Sequence, residues 1–170
     1  MTFANKTFNG TVYTFAHLSP MQLQVALSGP PAVNVAVNVT FGCHCFTESF
    51  DTALHEDHHR YTHRSELRAF DVLRFQCSLQ LPVSLNSLLT GMVHRADRSY
   101  TFVTQIALPP AAGQQSYSVF FSLEKSRRST SPAVEMYVKS AYLRRPAATS
   151  HSQSWRFKAL VGQISGAFGA

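Results

Sequence analysis

Apolar and polar residues alternate with least interruption over residues 33–41, where Val33, Val35, Val37, Val39 and Phe41 interleave with Asn34, Ala36, Asn38 and Thr40. A period of two sends the two sets to opposite faces, so this stretch predicts a strand with one buried face. Leu23, Val25 and Leu27 alternate in the same way, and Ser28-Gly29-Pro30-Pro31 break the chain between the two runs, which predicts a hairpin within a strand-rich first 46 residues. Residues 47–67 lose the pattern and hold most of the acidic residues and four of the eight histidines, as a polar loop or a short exposed helix would. The spacing lengthens to three or four residues at Phe70, Leu73, Cys77 and Leu81, one face of a helix that Pro82 interrupts. Pro82 suits the first turn of a second helix, with Leu85, Leu88, Leu89 and Met92 as its apolar face and Gly91 at its end, so residues 68–92 form a helical segment.

Residues 100–108, 117–123 and 134–142 are aromatic or β-branched, and the short Pro- and Gly-bearing or polar connections between them predict an antiparallel meander. Beyond a polar stretch at 146–154, Trp155, Phe157, Leu160 and Val161 predict a last strand or short helix, with a frayed tail from Gly162. No internal repeat is present. A chain of 170 residues suits one domain, here α+β, mostly antiparallel sheet with one or two helices and a C-terminal meander over 100–161.

Composition narrows the function. Hydrophobic residues make up 45% and charged residues 14%, which excludes a disordered chain. No apolar run reaches the roughly 18 residues of a membrane helix, and the N-terminus lacks the basic start and apolar stretch of a signal peptide, so a cytoplasmic protein without a membrane partner is expected. Three cysteines, Cys43 and Cys45 with one residue between them, do not make a disulfide framework. Net charge is uneven: residues 1–71 sum to −2 and residues 72–170 to +8. A positive field of that kind attracts RNA or another polyanion, with Arg74, Arg98, Lys125, Arg127, Arg128, Lys139 and Arg145 as the candidate contacts; its plain alternative is a solvated basic surface.

Two constellations carry candidate chemistry. Cys43, His44, Cys45, His55, His58, His59 and His63 are zinc ligand types, with Cys43, Cys45, His55, His59 and His63 as the candidate ligands. His55 and His59, or His59 and His63, stand at i, i+4, although residues 55–59 are not read as a His-Glu-x-x-His motif. A single residue between Cys43 and Cys45 is tighter than the two to four of ordinary zinc pairs, and two such cysteines on one face of a strand suit burial as well as ligation. Buried thiols beside a solvated histidine-rich loop are therefore the competing reading, and zinc is the one cofactor in question. The second constellation is His94, Arg95, Tyr142 and Arg144 in the basic half. Metal-free RNA cleavage needs a proton acceptor for the 2′-hydroxyl, a cation for the charged phosphate and a proton donor for the leaving oxygen, and these residues are of those types. No GxSxG, GxGxxG or glycine-rich phosphate loop is present, and Cys77 on the inner helix face reads as core.

The run Arg68-Ala69-Phe70-Asp71-Val72-Leu73-Arg74-Phe75-Gln76-Cys77-Ser78-Leu79-Gln80-Leu81-Pro82, followed by a meander ending Val138-Lys139-Ser140-Ala141-Tyr142-Leu143-Arg144, resembles small proteins of phages and mobile elements. A helical segment followed by a meander with such a terminal strand is similar to the barnase, EndoU, colicin and RelE-like group of ribonucleases. That resemblance covers roughly the last 100 residues. It implies a metal-independent, toxin-like endoribonuclease with its active residues on the concave face of the sheet, at His94, Arg95, Ser140, Tyr142 and Arg144. Two other readings compete: a non-enzymatic phage or mobile-element protein that occludes an acidic or nucleic-acid-binding partner, and a zinc-stabilised structural module. A neutralising or target protein partner is compatible with the first two, and thirteen Phe residues exceed what the core needs and suit an interface.

Overall fold

Alternation over residues 33–41 becomes a long strand in the structure, a computed structural model that describes residues 2–29, 31–96, 99–107, 114–127, 129, 131–143 and 153–167. In chain order the strands are β1 (Lys6–Phe8), β2 (Thr11–Tyr13), β3 (Met21–Leu27), β4 (Val33–His44), β5 (Thr47–Ser49), β6 (Arg60–His63) and β7 (Glu66–Phe70). Helices α1 (Val72–Ser78) and α2 (Leu81–Leu88) follow, then β8 (Met92–Ala96), β9 (Ser99–Ala107), β10 (Gln114–Lys125), β11 (Ala133–Leu143), β12 (Ser154–Arg156) and α3 (Phe157–Ser165). The class is α+β, with sheets that are mostly antiparallel.

The main sheet has seven strands in the order β12-β8-β9-β10-β11-β4-β3. The expected hairpin β3–β4 and the expected meander β9–β10–β11 are both antiparallel. They meet edge to edge through a parallel pair, β11 on β4, with Val134 opposite Val37 and Val138 opposite Phe41. N-terminal and C-terminal strands thus share one sheet. Its inner face carries Val25, Val35, Val37, Val39, Val119, Phe121, Val134, Met136 and Val138, all buried, and α3 packs there with Phe157 against Phe121. Its other face is polar along β3, β4 and β11, where Gln24, Gln22, Asn38 and Glu135 form a hydrogen-bonded row across three strands.

The core continues into an aromatic cluster. Phe15, Phe46, Phe70, Phe75 and Tyr61 pack ring to ring, Phe15 on Phe46 at 4.0 Å between centroids. The segment 47–67, expected as a loop or short helix, instead supplies β5, β6 and the start of β7, a three-stranded antiparallel sheet ordered β5-β7-β6. Burial decides this: Thr47 and Tyr61 are buried, Tyr61 among the aromatic rings, while Asp51, Glu56, Asp57 and Glu66 of the same stretch stay exposed. Likewise Arg68–Phe70 is extended rather than helical, since it pairs with β5 and β6, and Met92 begins β8 rather than ending a helix.

Asp71 caps α1, its carboxylate accepting from Arg74 N at 2.6 Å, and Pro82 occupies the first turn of α2 as expected. The chain after Ser154 forms both a strand and a helix. The expected fraying from Gly162 does not occur before residue 167: α3 runs to Ser165, buries Leu160, Val161 and Gly162, and ends at Gly166 in the left-handed conformation. No helix among the described residues is long and apolar enough to cross a membrane.

Candidate functional site

The most concentrated chemistry lies where β4 ends. Successive turn bonds, Cys45 N to Gly42 O and Phe46 N to Cys43 O, take the backbone out of its pleat at Cys43 and His44. Strict alternation would send these neighbours to opposite faces; the turn lets both reach one cavity. The opposite strand is irregular at the same level, with Val138 paired to Phe41 and Ser140 to His44. Glu66 arrives from the β6–β7 hairpin, whose two-residue turn puts Arg64 at φ 56° and sets His63 opposite Glu66. His44 Nε2 lies 2.9 and 3.0 Å from the two carboxylate oxygens of Glu66, and Arg68 donates to Oε1 at 3.3 Å. Ligand atoms of Cys43, His44 and Glu66 all fall within 4.8 Å of one another. They line a cavity of about 200 Å³ with Phe41, His63, Arg64, Ser65 and Tyr137.

Electrostatics follow from these contacts. The hydrogen bond from His44, aided by its charge and by Arg68, lowers the Glu66 carboxyl below its usual value. Burial, with Glu66 nearby, raises the Cys43 thiol, so the sulfur is protonated and a poor nucleophile as it stands. His63 is lowered by partial burial and by Arg64, which keeps its imidazole neutral near pH 7. Tyr137 fits because position 42 is glycine: a Cβ there would lie 2.6 Å from the phenol oxygen and 2.9 Å from Lys139 O.

The expected zinc ligands are not brought together. Cys45 lies past the end of β4, fully buried, with Sγ toward Val138 O and its thiol raised strongly by burial. Of the expected ligand types Cys43 and His44 join the cavity group, with His63 in the cavity wall. Residues 55–59 read His-Glu-Asp-His-His and do carry the order of a His-Glu-x-x-His zinc motif, contrary to the expectation for this stretch. That motif needs a helix to stack its two histidines on one side, and here only a 3-10 turn at Asp57–His59 forms before the chain enters β6. His55 Nδ1 accepts from Asp51 N and His59 Nδ1 from Glu56 N, which places each neutral ring's proton on Nε2; His55 Nε2 meets Glu48 at 2.9 Å. Neither Nε2 then has a free lone pair for a metal. His44 was among the expected ligand types, whereas Glu66 was not, because 21 residues separate it from His44 and it sits in no spaced motif.

The candidate ribonuclease residues divide. Ser140 and Tyr142 share the polar face of β11, whereas His94 and Arg95 are exposed on β8, beyond β10 and β9 and three strand spacings away, roughly 14 Å. Arg144 lies outside the described residues, as do Arg98, Arg128 and Arg145. His94 stands opposite Thr101 and Ser154, and Arg95 N bonds to Gln153 O. The imidazole nearest Ser140 in register is instead His44. Basic residues also separate: Lys125 and Arg127 sit at the β10–β11 hairpin, Lys139 and Arg74 toward the other end of β11. There the Arg74 guanidinium lies 4.9 Å above the Tyr142 ring while donating to Thr47 O at 3.0 Å, and Tyr142 stacks on Phe120 at 5.2 Å and 22°. All three side chains are partly exposed.

Residues 5–165 match the model of the YjaZ family. No curated protein and no solved structure matches the chain.

Proposed function

This chain belongs to the YjaZ family, and for this member we propose an RNA-directed role: binding of single-stranded RNA across the polar end of β11. The Arg74–Tyr142–Phe120 ladder carries the reading. Guanidinium and aromatic planes are what unpaired bases stack on, and Arg74, held by Thr47 O, ends the ladder with a fixed planar cation to which a base adds. Lys139 and Ser140 flank the ladder on the same strand and supply a cation and a hydroxyl for the sugar–phosphate backbone. The excess positive charge of residues 72–170 favours the encounter. Binding is preferred to cleavage because the imidazole and one of the two arginines of the expected catalytic set, His94 and Arg95, stand three strands from Tyr142.

The test is fluorescence anisotropy with labelled single-stranded RNA in EDTA, with gel analysis of the same samples. Binding is expected to weaken with salt, by roughly 0.7 in the log–log slope for each phosphate contacted. Tyr142→Ala should weaken it about tenfold or more, since a stacked base is worth about 1–3 kcal/mol. Lys139→Gln should lower the slope by about one contact while keeping sequence tolerance. Absence of binding at low salt, or affinity indifferent to Tyr142→Ala, refutes the proposal and leaves an acidic protein as the partner for the basic half. RNA fragments in EDTA would add catalysis, and their loss in His44→Ala but not His94→Ala would locate it.

A further inference from the structure

We propose that Cys43 Sγ, His44 Nε2 and Glu66 form a three-ligand site for a divalent cation of the zinc class, with a fourth position open to the cavity beneath Tyr137. The three ligand atoms already converge within 4.8 Å. Bond lengths of about 2.0–2.3 Å put tetrahedral ligands roughly 3.3–3.8 Å apart, so closure needs side-chain rotation and no change of fold. Two of the three can move: the side chains of His44 and Glu66 are 38% and 49% exposed, and Glu66 rides on a hairpin turn. Cys43 is fixed from behind, because Thr47 Oγ1 donates to Cys43 O at 2.8 Å.

The donor set selects the ion. Thiolate, imidazole and carboxylate together suit zinc or cobalt and not magnesium or calcium, which take oxygen ligands. Charge is balanced, since one thiolate and one carboxylate neutralise a dication, so Arg68 does not face a net positive centre. Arg68 holds Glu66 Oε1 and leaves Oε2 for the ion. On binding, the thiol proton goes to solvent, and the neutral imidazole keeps its single proton, moved to Nδ1. A solvent molecule in the fourth position would face Tyr137 and His63 across a cavity of about 200 Å³. This site is independent of RNA binding, and the two can fail separately.

Metal-stripped full-length protein titrated with Co²⁺, then Zn²⁺, tests it. One Co²⁺ per chain is expected, with the near-ultraviolet charge-transfer band of a cobalt–thiolate bond, and Zn²⁺ should abolish that band. Cys43→Ser should remove the band, and Glu66→Gln should weaken Co²⁺ affinity at least about tenfold. Glu66 is exposed, so its variant folds even if Cys43→Ser does not. The double variant His55→Gln/His59→Gln should bind as the wild type does. Absence of a charge-transfer band, affinity unchanged by Glu66→Gln, or a band lost in the histidine double variant would each overturn the proposal.

Discussion

Gly42→Ala tests the geometry that admits Tyr137 to the cavity. The added Cβ would stand 2.6 Å from Tyr137 Oη, 3.2 Å from Tyr137 Cζ and 2.9 Å from Lys139 O. The phenol can swing outward, because Tyr137 is 45% exposed, whereas Lys139 O belongs to the partner strand and can yield only by spreading β4 from β11. Overpacking of this kind costs about 1–3 kcal/mol, and at 170 residues a loss of about 2 kcal/mol lowers Tm by roughly 4–8 °C. Urea denaturation at constant m is the assay. Tyr137→Phe removes the 2.6 Å contact and leaves the other two, so in that background Gly42→Ala should cost less by about 0.5–1 kcal/mol, without becoming neutral. Tyr137→Phe alone should stay within about 0.5 kcal/mol of wild type. A neutral Gly42→Ala, or an identical cost in both backgrounds, would refute this packing of β4 against β11.

Acid should destabilise the protein in two windows. His17, lowered by burial and bonded to Ser78 Oγ at 2.8 Å, and His63, lowered by burial, bind protons more readily unfolded than folded. Stability is therefore full above their ordinary value of 6.5 and falls as pH drops below it, a fall that His17→Gln should flatten in thermal melts from pH 7.5 to 5. Glu66, lowered by His44, contributes above its ordinary 4.5 and loses that contribution as pH falls through its folded value; Glu66→Gln should lose that lower step. Asp71→Ala removes the cap of α1 and should cost about 1 kcal/mol by urea denaturation, with Asp71→Asn keeping most of it; equal stability of all three would refute the cap.

The local elements were legible along the chain because their signals are local. The alternation from Val33 to Phe41 foretold β4, the spacing from Phe70 to Leu81 and Pro82 foretold two helices, although Phe70 ends β7 and Leu73 is exposed rather than on the inner face, and the aromatic runs foretold β9, β10 and β11, each within a few residues at its ends. Periodicity reports which residues of one segment face the same way, and it needs no partner. The segment 47–67 escaped it because strands of three or four residues are too short to show a period, and because β6 is held by pairing with β7 and by Tyr61 in the aromatic core. The same pairing draws the chain straight after His59 and denies the His-Glu-x-x-His order the helix it needs.

The candidate sites are tertiary products. Cys43 and His44 carried a signal as ligand types, but they reach one cavity only because the strand ends in a turn, and Glu66 joins them only through the β6–β7 hairpin. The parallel union of β11 with β4 joins residues about a hundred positions apart, and it alone sets Ser140 beside His44 and Tyr137 over Gly42. Charge counting found the basic half yet not its division between the two ends of β11, because strand order, rather than sequence distance, decides which side chains share a surface. By itself the sequence determined the class of fold, the inner faces of β3 and β4 and the sign of its charge, which depend on residue type and near neighbours. Which strands lie side by side, and hence which groups meet, was decided by the long-range burial that closes one sheet from both ends of the chain.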